Sequence, residues 1–240
     1  MSRANYTLFP MEFYHNAIEK AAACGADRLL GRTLIEMGSL HVSMKEFQKA
    51  ERLFRQAIDI LTREGMMEEV ARATNNLGSC YMDSGEFEKA VPTFEECVMI
   101  SEAAEDWLHK GWGAFNMADC LTQMGRAEEA VPHLEMALEI LGDMNDLIGL
   151  SAAHLAGGKT YNALKQWQRA EKHLKRTLEL LKDTPVPEIT GQTLQLLGEN
   201  YLGRGDKERA RKELQKALET YEAIDNTKDA DKVRKVLEGI

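Results

Sequence analysis

The sequence predicts an all-α solenoid of antiparallel helix pairs, with five full repeats, an N-terminal half repeat and a C-terminal capping helix. Three observations carry this reading. Alanines stand at 50, 90, 130, 170 and 210, a period of 40 without slippage. Four places later come the large apolar residues Phe54, Phe94, Leu134, Leu174 and Leu214. Twelve places before each alanine stands a small residue: Gly38, Gly78, Ala118, Gly158 and Gly198. Matching columns at one fixed period mark a repeat array, whose units bury their faces only against neighbours.

Within a repeat, Thr74, Leu77, Gly78 and Tyr81 share one face of a first helix, and Ala90, Phe94, Cys97 and Val98 share one face of a second. Gly85, Gly125 and Gly205 mark the turn between them, because glycine tolerates the left-handed cap. Turns are expected near 43–46, 83–86, 123–126, 164–166 and 203–206, with the periodic alanines buried at helix crossings. Phe87 and Trp167 are expected to plug the turn from the second helix. Pro92 and Pro132 fall inside second helices, where proline ordinarily costs about 3 kcal/mol. A slight bend and no break is the expectation there.

The boundaries follow as one domain over 1–240, with repeats at 26–62, 66–102, 106–142, 146–182 and 186–223. Tyr14, Ala17 and Ile18 match second-helix columns, so residues 11–24 read as a half repeat, with Pro10 in the alanine column and 1–9 as a loose tail. Residues 226–240 read as the cap, its helix the polar run 228–238. The half repeat leaves open that the chain is a piece of a longer protein.

Composition narrows the function classes. With 30 Lys+Arg against 39 Asp+Glu the net charge is −9, which disfavours nonspecific nucleic-acid binding. No stretch approaches the roughly 18 apolar residues of a membrane span, so no membrane insertion is expected, and a cytoplasmic location fits. Cys24, Cys80, Cys97 and Cys120 form no CxxC pair, and Cys80 and Cys120 read as small packing residues. None of the six histidines has a metal-ligand spacing, so neither metal nor cofactor is expected. His41 and His154 sit in otherwise apolar columns and read as core histidines with one satisfied nitrogen; His133 and His173 read as surface positions. Gly157-Gly158-Lys159-Thr160 lacks the upstream glycine of a phosphate loop and lies in a helical pattern. Nothing supports a reaction, so the chain reads as a non-enzyme.

The pattern L-G-x-x-Y, G-x-[FY]-x-x-A, x3-F-x2-A in repeat 2 resembles the tetratricopeptide repeat (TPR) family over essentially the whole chain. The resemblance implies a right-handed superhelix. The usual TPR period is 34, and the longer one here resembles the arrays of kinesin light chains, G-protein-signalling modulators and prokaryotic regulators. Six extra residues should lengthen both helices near the inter-repeat turn. In such arrays the first helices line a concave groove, and asparagine there holds peptide backbone. The chaperone-tail clamp of one TPR subclass would need cations and amides at positions that read Ile35, Ser39, Asn76, Trp112 and Asn116, so that clamp is absent.

The concave wall is the candidate site: Arg32, Arg72, Asn75, Asn76, Ser79, Trp112, Phe115, Asn116 and Asp119. Amides both donate and accept, and an exposed Trp112–Phe115 pair would suit an apolar anchor. Arg28, Arg32 and Arg72 would face acidic residues of the partner. The expected function is a non-catalytic scaffold binding a peptide segment of a partner protein. The alternative is a sensory module of a larger regulator that binds a small peptide or metabolite. Acid-rich residues 83–106 and base-rich residues 159–182, mostly convex, read as solvated faces or a second interface.

Overall fold

In a computed structural model, residues 4–240 are described, with side chains from residue 11. Twelve α-helices and no strand occur among the described residues. They are α1 (Ala4–Ala23), α2 (Asp27–Ser43), α3 (Phe47–Arg63), α4 (Met67–Ser84), α5 (Phe87–Ala103), α6 (Trp107–Gln123), α7 (Ala127–Asp143), α8 (Leu147–Ala163), α9 (Trp167–Leu180), α10 (Pro187–Gly203), α11 (Lys207–Ala223) and α12 (Thr227–Glu238). The chain divides into two compact units, Met1–Gly113 and Ala114–Ile240. In the first, each helix from α1 to α5 packs on the next, and first helices α2 and α4 also touch. In the second, α7 to α12 pack in sequence, and first helices α8 and α10 touch.

The five intra-repeat turns fall where the period places them, and Ala50, Ala90, Ala130, Ala170 and Ala210 are fully buried. The close crossing is a fit of absent against large. A β-carbon on Gly78 would lie 2.6 Å from the Phe94 ring, and one on Gly198 would lie 2.5 Å from Leu214. Gly38 meets Phe54 and Gly158 meets Leu174 in the same way. The helices run unbroken through Pro92 and Pro132. Phe87 and Trp167 are half-buried, and Trp167 lies against Gly203 of the following first helix.

One expectation is corrected. Residues 4–9 are not a loose tail, since α1 begins at Ala4 and runs through Pro10. Proline's fixed φ is itself helical, so the ring removes one hydrogen bond and the helix continues. Residues 1–3 of the expected tail lie outside the described residues. The fourth inter-repeat turn also departs from the period: α9 stops at Leu180, and Pro185-Val186-Pro187 leads into α10. Gly25, Gly65, Glu105, Asn145 and Asp225 take positive φ at the equivalent place. Pro185 cannot, its φ being locked near −65°. The cap buries Ala230 and Val233 against Leu214, Leu218 and Tyr221 of α11.

Glycine fills three intra-repeat turns, at Gly85, Gly125 and Gly205, but Lys45 and Lys165 hold the same position at φ 60° and 56°. A non-glycine residue there costs roughly 1–2 kcal/mol, offset by about 0.4–1 kcal/mol of glycine's greater unfolded-state entropy. Lys165→Gly should therefore raise stability by up to about 1 kcal/mol in urea melts. Phe94→Ala should cost about 3–5 kcal/mol through its cavity, and Ala130→Leu about 1–3 kcal/mol through overpacking. An unchanged melt for Phe94→Ala would remove that ring from the core.

Candidate functional site

Within each unit, polar side chains link neighbouring first helices. In the first unit, Arg72 Nη1 donates to Glu36 Oε1 at 2.8 Å, and Asn76 Nδ2 donates to Ser39 Oγ at 3.4 Å. In the second, Lys159 Nζ donates to Asp119 Oδ2 at 2.8 Å, Thr122 and Thr160 share a 2.8 Å hydroxyl bond, and Asn200 Nδ2 donates to Asn162 Oδ1 at 2.7 Å. Asn162 Nδ2 in turn donates to the Leu196 carbonyl, and Asn200 also reaches the Trp167 carbonyl. These rungs connect positions 36 to 40 residues apart, one repeat length, so they are side-chain ladders running across successive first helices.

The expected wall residues fall into three groups. Arg32, Arg72, Asn76, Ser79 and Asp119 belong to the partly accessible row. Asn75 is 4% exposed and Asn116 is 9% exposed, and both are already engaged within the protein, so neither presents an open amide. Trp112 and Phe115 are half-buried and not exposed. The Trp112 ring meets His109 edge-on at 6.1 Å. Helix geometry explains the error. Three residues advance the helix by 300°, so column 35 lies about 60° from column 32, turned toward buried columns 31 and 38. Ile35, Asn75 and Leu155 in that column are all buried.

The wall's cations are compensated from within. Arg32 Nε pairs with Glu69 at 2.7 Å, Arg72 Nε with Glu69 at 2.9 Å, and Arg28 Nε with Glu64 at 3.2 Å. Arg28, Arg32, Glu64 and Glu69 border a recess of about 430 Å³ in the first unit. In the second unit Lys159, Gln192, Gln195 and Glu199 border another of about 210 Å³. Its far side is formed by Tyr221 of α11 and by Asp229 and Lys232 of the cap. Tyr221 Oη donates to Gln195 Oε1 at 3.2 Å. The sequence reading also missed Trp107, a ring 47% exposed with Lys110 Nζ 5.0 Å above it. Its signal was the first position of each first helix, where Met67 and Leu147 are also exposed.

The other singled-out residues are structural. Burial pushes the Cys80 thiol up to about 11 and the Cys97 thiol up to about 12, so both stay protonated. His41 is buried and donates Nδ1–H to Glu46 at 2.6 Å. His154 meets His173, Nδ1 to Nδ1, at 3.0 Å, so His173 is drawn off the surface position expected for it. Among the described residues no three His, Cys, Asp or Glu side chains converge as a metal site would need. Gly157 to Thr160 lie within α8, a helix and no phosphate loop. No helix among the described residues is long and apolar enough to cross a membrane. Polar clips tie second helices to the next first helix. Tyr81 Oη donates to Glu51 Oε1 at 2.7 Å, and Tyr201 Oη donates to Glu171 Oε1 at 2.9 Å.

Family models described as tetratricopeptide repeat match residues 69–143 and 150–223, and a second such model matches 31–60. No curated protein matches. Among solved structures, BtubC (BKLC) from P. vanneervenii superposes with a TM-score of 0.77 at 19% identity, covering 91% of this chain and 92% of that one. Aspartyl phosphate phosphatase F from Bacillus subtilis gives 0.73 at 16% identity over 95% of this chain and 64% of its own. A Rap protein complexed with Competence and Sporulation Factor gives 0.76 at 17% identity over 88% of this chain and 58% of its own. At these identities the likeness is one of fold.

Two acid windows follow from the site. Burial opposes ionisation of Glu171, but hydrogen bonds from Lys175, Tyr201 and Arg204 outweigh it and hold the carboxyl down at about 2. A depressed carboxylate contributes stability above its unfolded value, so that share should fade from about pH 4.5 toward 2. Burial, and beyond it nearby positive charge, lowers His154 and His173 to about 4. The unfolded chain then binds protons that the folded one refuses between about pH 6.5 and 4, so stability should fall as pH drops through that window. Urea melts against pH should show both slopes, the upper one flattened in His154→Leu and the lower in Glu171→Gln.

Proposed function

The chain belongs to the tetratricopeptide repeat family, and from that premise we propose that it is a non-catalytic scaffold that holds an extended peptide segment of a partner protein along its first helices. The supporting observation is the polar row on those helices. Its rungs span about one repeat length between neighbouring first helices, and their partly accessible side chains Arg72, Asp119 and Lys159 give donors and acceptors that an extended backbone can use. Arg32, Arg72, Asn76, Ser79 and Asp119 remain the contact residues of this reading, with Trp112 and Phe115 as partly covered apolar neighbours. Trp107 adds a more exposed ring. The partner segment carries an apolar anchor and acidic residues. Its carboxylates would exchange with Glu36 and Glu69 for Arg72, and with Glu69 for Arg32.

A second reading has support in the fold shared with the Rap protein complexed with Competence and Sporulation Factor. In it the chain is a sensory module of a larger regulator and takes a short peptide or metabolite on the same helices.

The experiment is titration of a captured partner segment against two variants, with circular dichroism confirming the fold. Arg72→Glu places a third carboxylate beside Glu36 and Glu69, and should slow association and alter its salt dependence. Trp112→Ala should weaken binding by about 1–2 kcal/mol if the ring is a hot spot. Unchanged affinity in both variants moves the site off this wall.

A further inference from the structure

Repeat 4 breaks its own column pattern at two coupled places. Gly157 stands where Leu77 and Leu197 stand in sister repeats, and His154 stands where Leu34 and Leu194 stand. The space opened at Gly157 is filled by His173. A β-carbon on Gly157 would come within 2.7 Å of its Nδ1. His173 thus reaches His154 at 3.0 Å and lies 5.2 Å from the Tyr161 ring. One recess of about 470 Å³ opens over the pair, lined by His154, Lys172, His173, Lys175, Arg176 and Glu179.

We propose that this recess is an anion site for a tetrahedral dianion of the phosphoryl type, closed by proton uptake on the histidine pair. The charged groups lining it are three cations and one carboxylate, all from α9; α7 and α10, which pack on α8, contribute none to the lining. Arg169 adds a fourth cation 5.5 Å over Tyr161. Arg176 is shared with Glu179 at 2.6 Å and Lys175 with Glu171 at 2.7 Å, whereas Lys172 forms no ion pair among the described residues. This excess of cations argues against a metal ion, which two neutral imidazoles would otherwise suit.

The proton logic follows from the Nδ1–Nδ1 bond. In the neutral pair one ring donates Nδ1–H, leaving its Nε2 a bare acceptor, while the other ring accepts at Nδ1 and carries Nε2–H. Adding one proton to the bare Nε2 preserves the shared bond and gives the pair two Nε2–H donors and one positive charge. Without an anion, burial and the lysine and arginine charges oppose that proton down to about pH 4. A dianion reverses the field, so anion and proton bind together by linkage. The recess is larger than one oxyanion needs, which leaves room for an ester substituent along the side-chain stems of Lys172 and Arg176.

The test uses the full chain and sulfate, whose charge is constant near neutral pH. Imidazole nitrogen shifts are followed by NMR during titration at fixed ionic strength and pH 6.5, then repeated with O-phosphoserine. Saturable movement of both His154 and His173 toward imidazolium values is expected. Lys172→Glu with Arg176→Glu, both on the exposed face of α9, should weaken it at least tenfold. Gly157→Leu, which restores the sister-repeat residue and displaces His173, should abolish it while the helical signal persists. Tighter binding of O-phosphoserine would assign the source as a phosphate ester, and equal binding a free oxyanion; both support the site. Absence of saturation, or an equal response in the charge-reversed variant, overturns it.

Discussion

Everything in this array depends on one contact, the seating of a large second-helix side chain against a small first-helix residue, glycine in four repeats and Ala118 in the third. The offset is constant at 16 residues: Gly38 with Phe54, Gly78 with Phe94, Gly158 with Leu174, Gly198 with Leu214. It fixes both the distance between paired helices and their rotation about their own axes. Once rotation is fixed, the 3.6-residue period decides which columns face the partner helix, which face the next repeat, and which remain accessible. A methyl group at Gly78 would collide with an aromatic ring that is itself fully buried, and interiors at crystal density have little room to yield. The polar row on the first helices is therefore held in place from the opposite side of the same helices.

This contact also explains how much could be read in advance. Helix number, turn positions and buried alanines all follow from columns that a fixed period writes directly into the chain. The wall was harder. Columns 32, 35 and 39 lie within about 60° of one another on the helix, and pattern alone does not say where in that arc the neighbouring first helix begins to cover it. Ile35 and Leu155 are apolar and hinted at the answer, but Asn75 and Phe115 in the same column suggested an open face. Recesses were illegible for a different reason. Tyr221, Asp229 and Lys232 meet Gln195 and Glu199 across a repeat boundary, and no local pattern announces such a meeting.

Breaks in the period carry their own information. At Lys45 and Lys165 the backbone keeps its left-handed turn although the glycine is gone, so geometry dominates and the residue is accommodated. At Pro185 the residue dominates and the turn is rebuilt. At Gly157 a core side chain is removed and its volume returned as an imidazole from the second helix. That exchange gives up apolar burial, about 25 cal/mol for each Å² removed from water, for a pair of half-buried titratable rings that folding alone does not require.

The ion pairs along the wall have a related consequence. Arg28 and Arg32 hold glutamates from the turn before α4 and from α4 itself, and Arg72 holds Glu36 of the preceding first helix. Exposed pairs of this kind contribute roughly 0–1 kcal/mol, so an incoming carboxylate can displace one at small cost. What the pairs do supply is position, because each guanidinium is held across the gap between first helices before any partner arrives. Under the proposed function an extended segment would meet Arg32 and Arg72 one repeat apart, and its affinity would rest on how well its own spacing matches theirs. The clips from Tyr81 to Glu51 and from Tyr201 to Glu171 act on the same spacing from the other side. They tie α4 to α3 and α10 to α9, so the spacing of these helices is set by packing within the array.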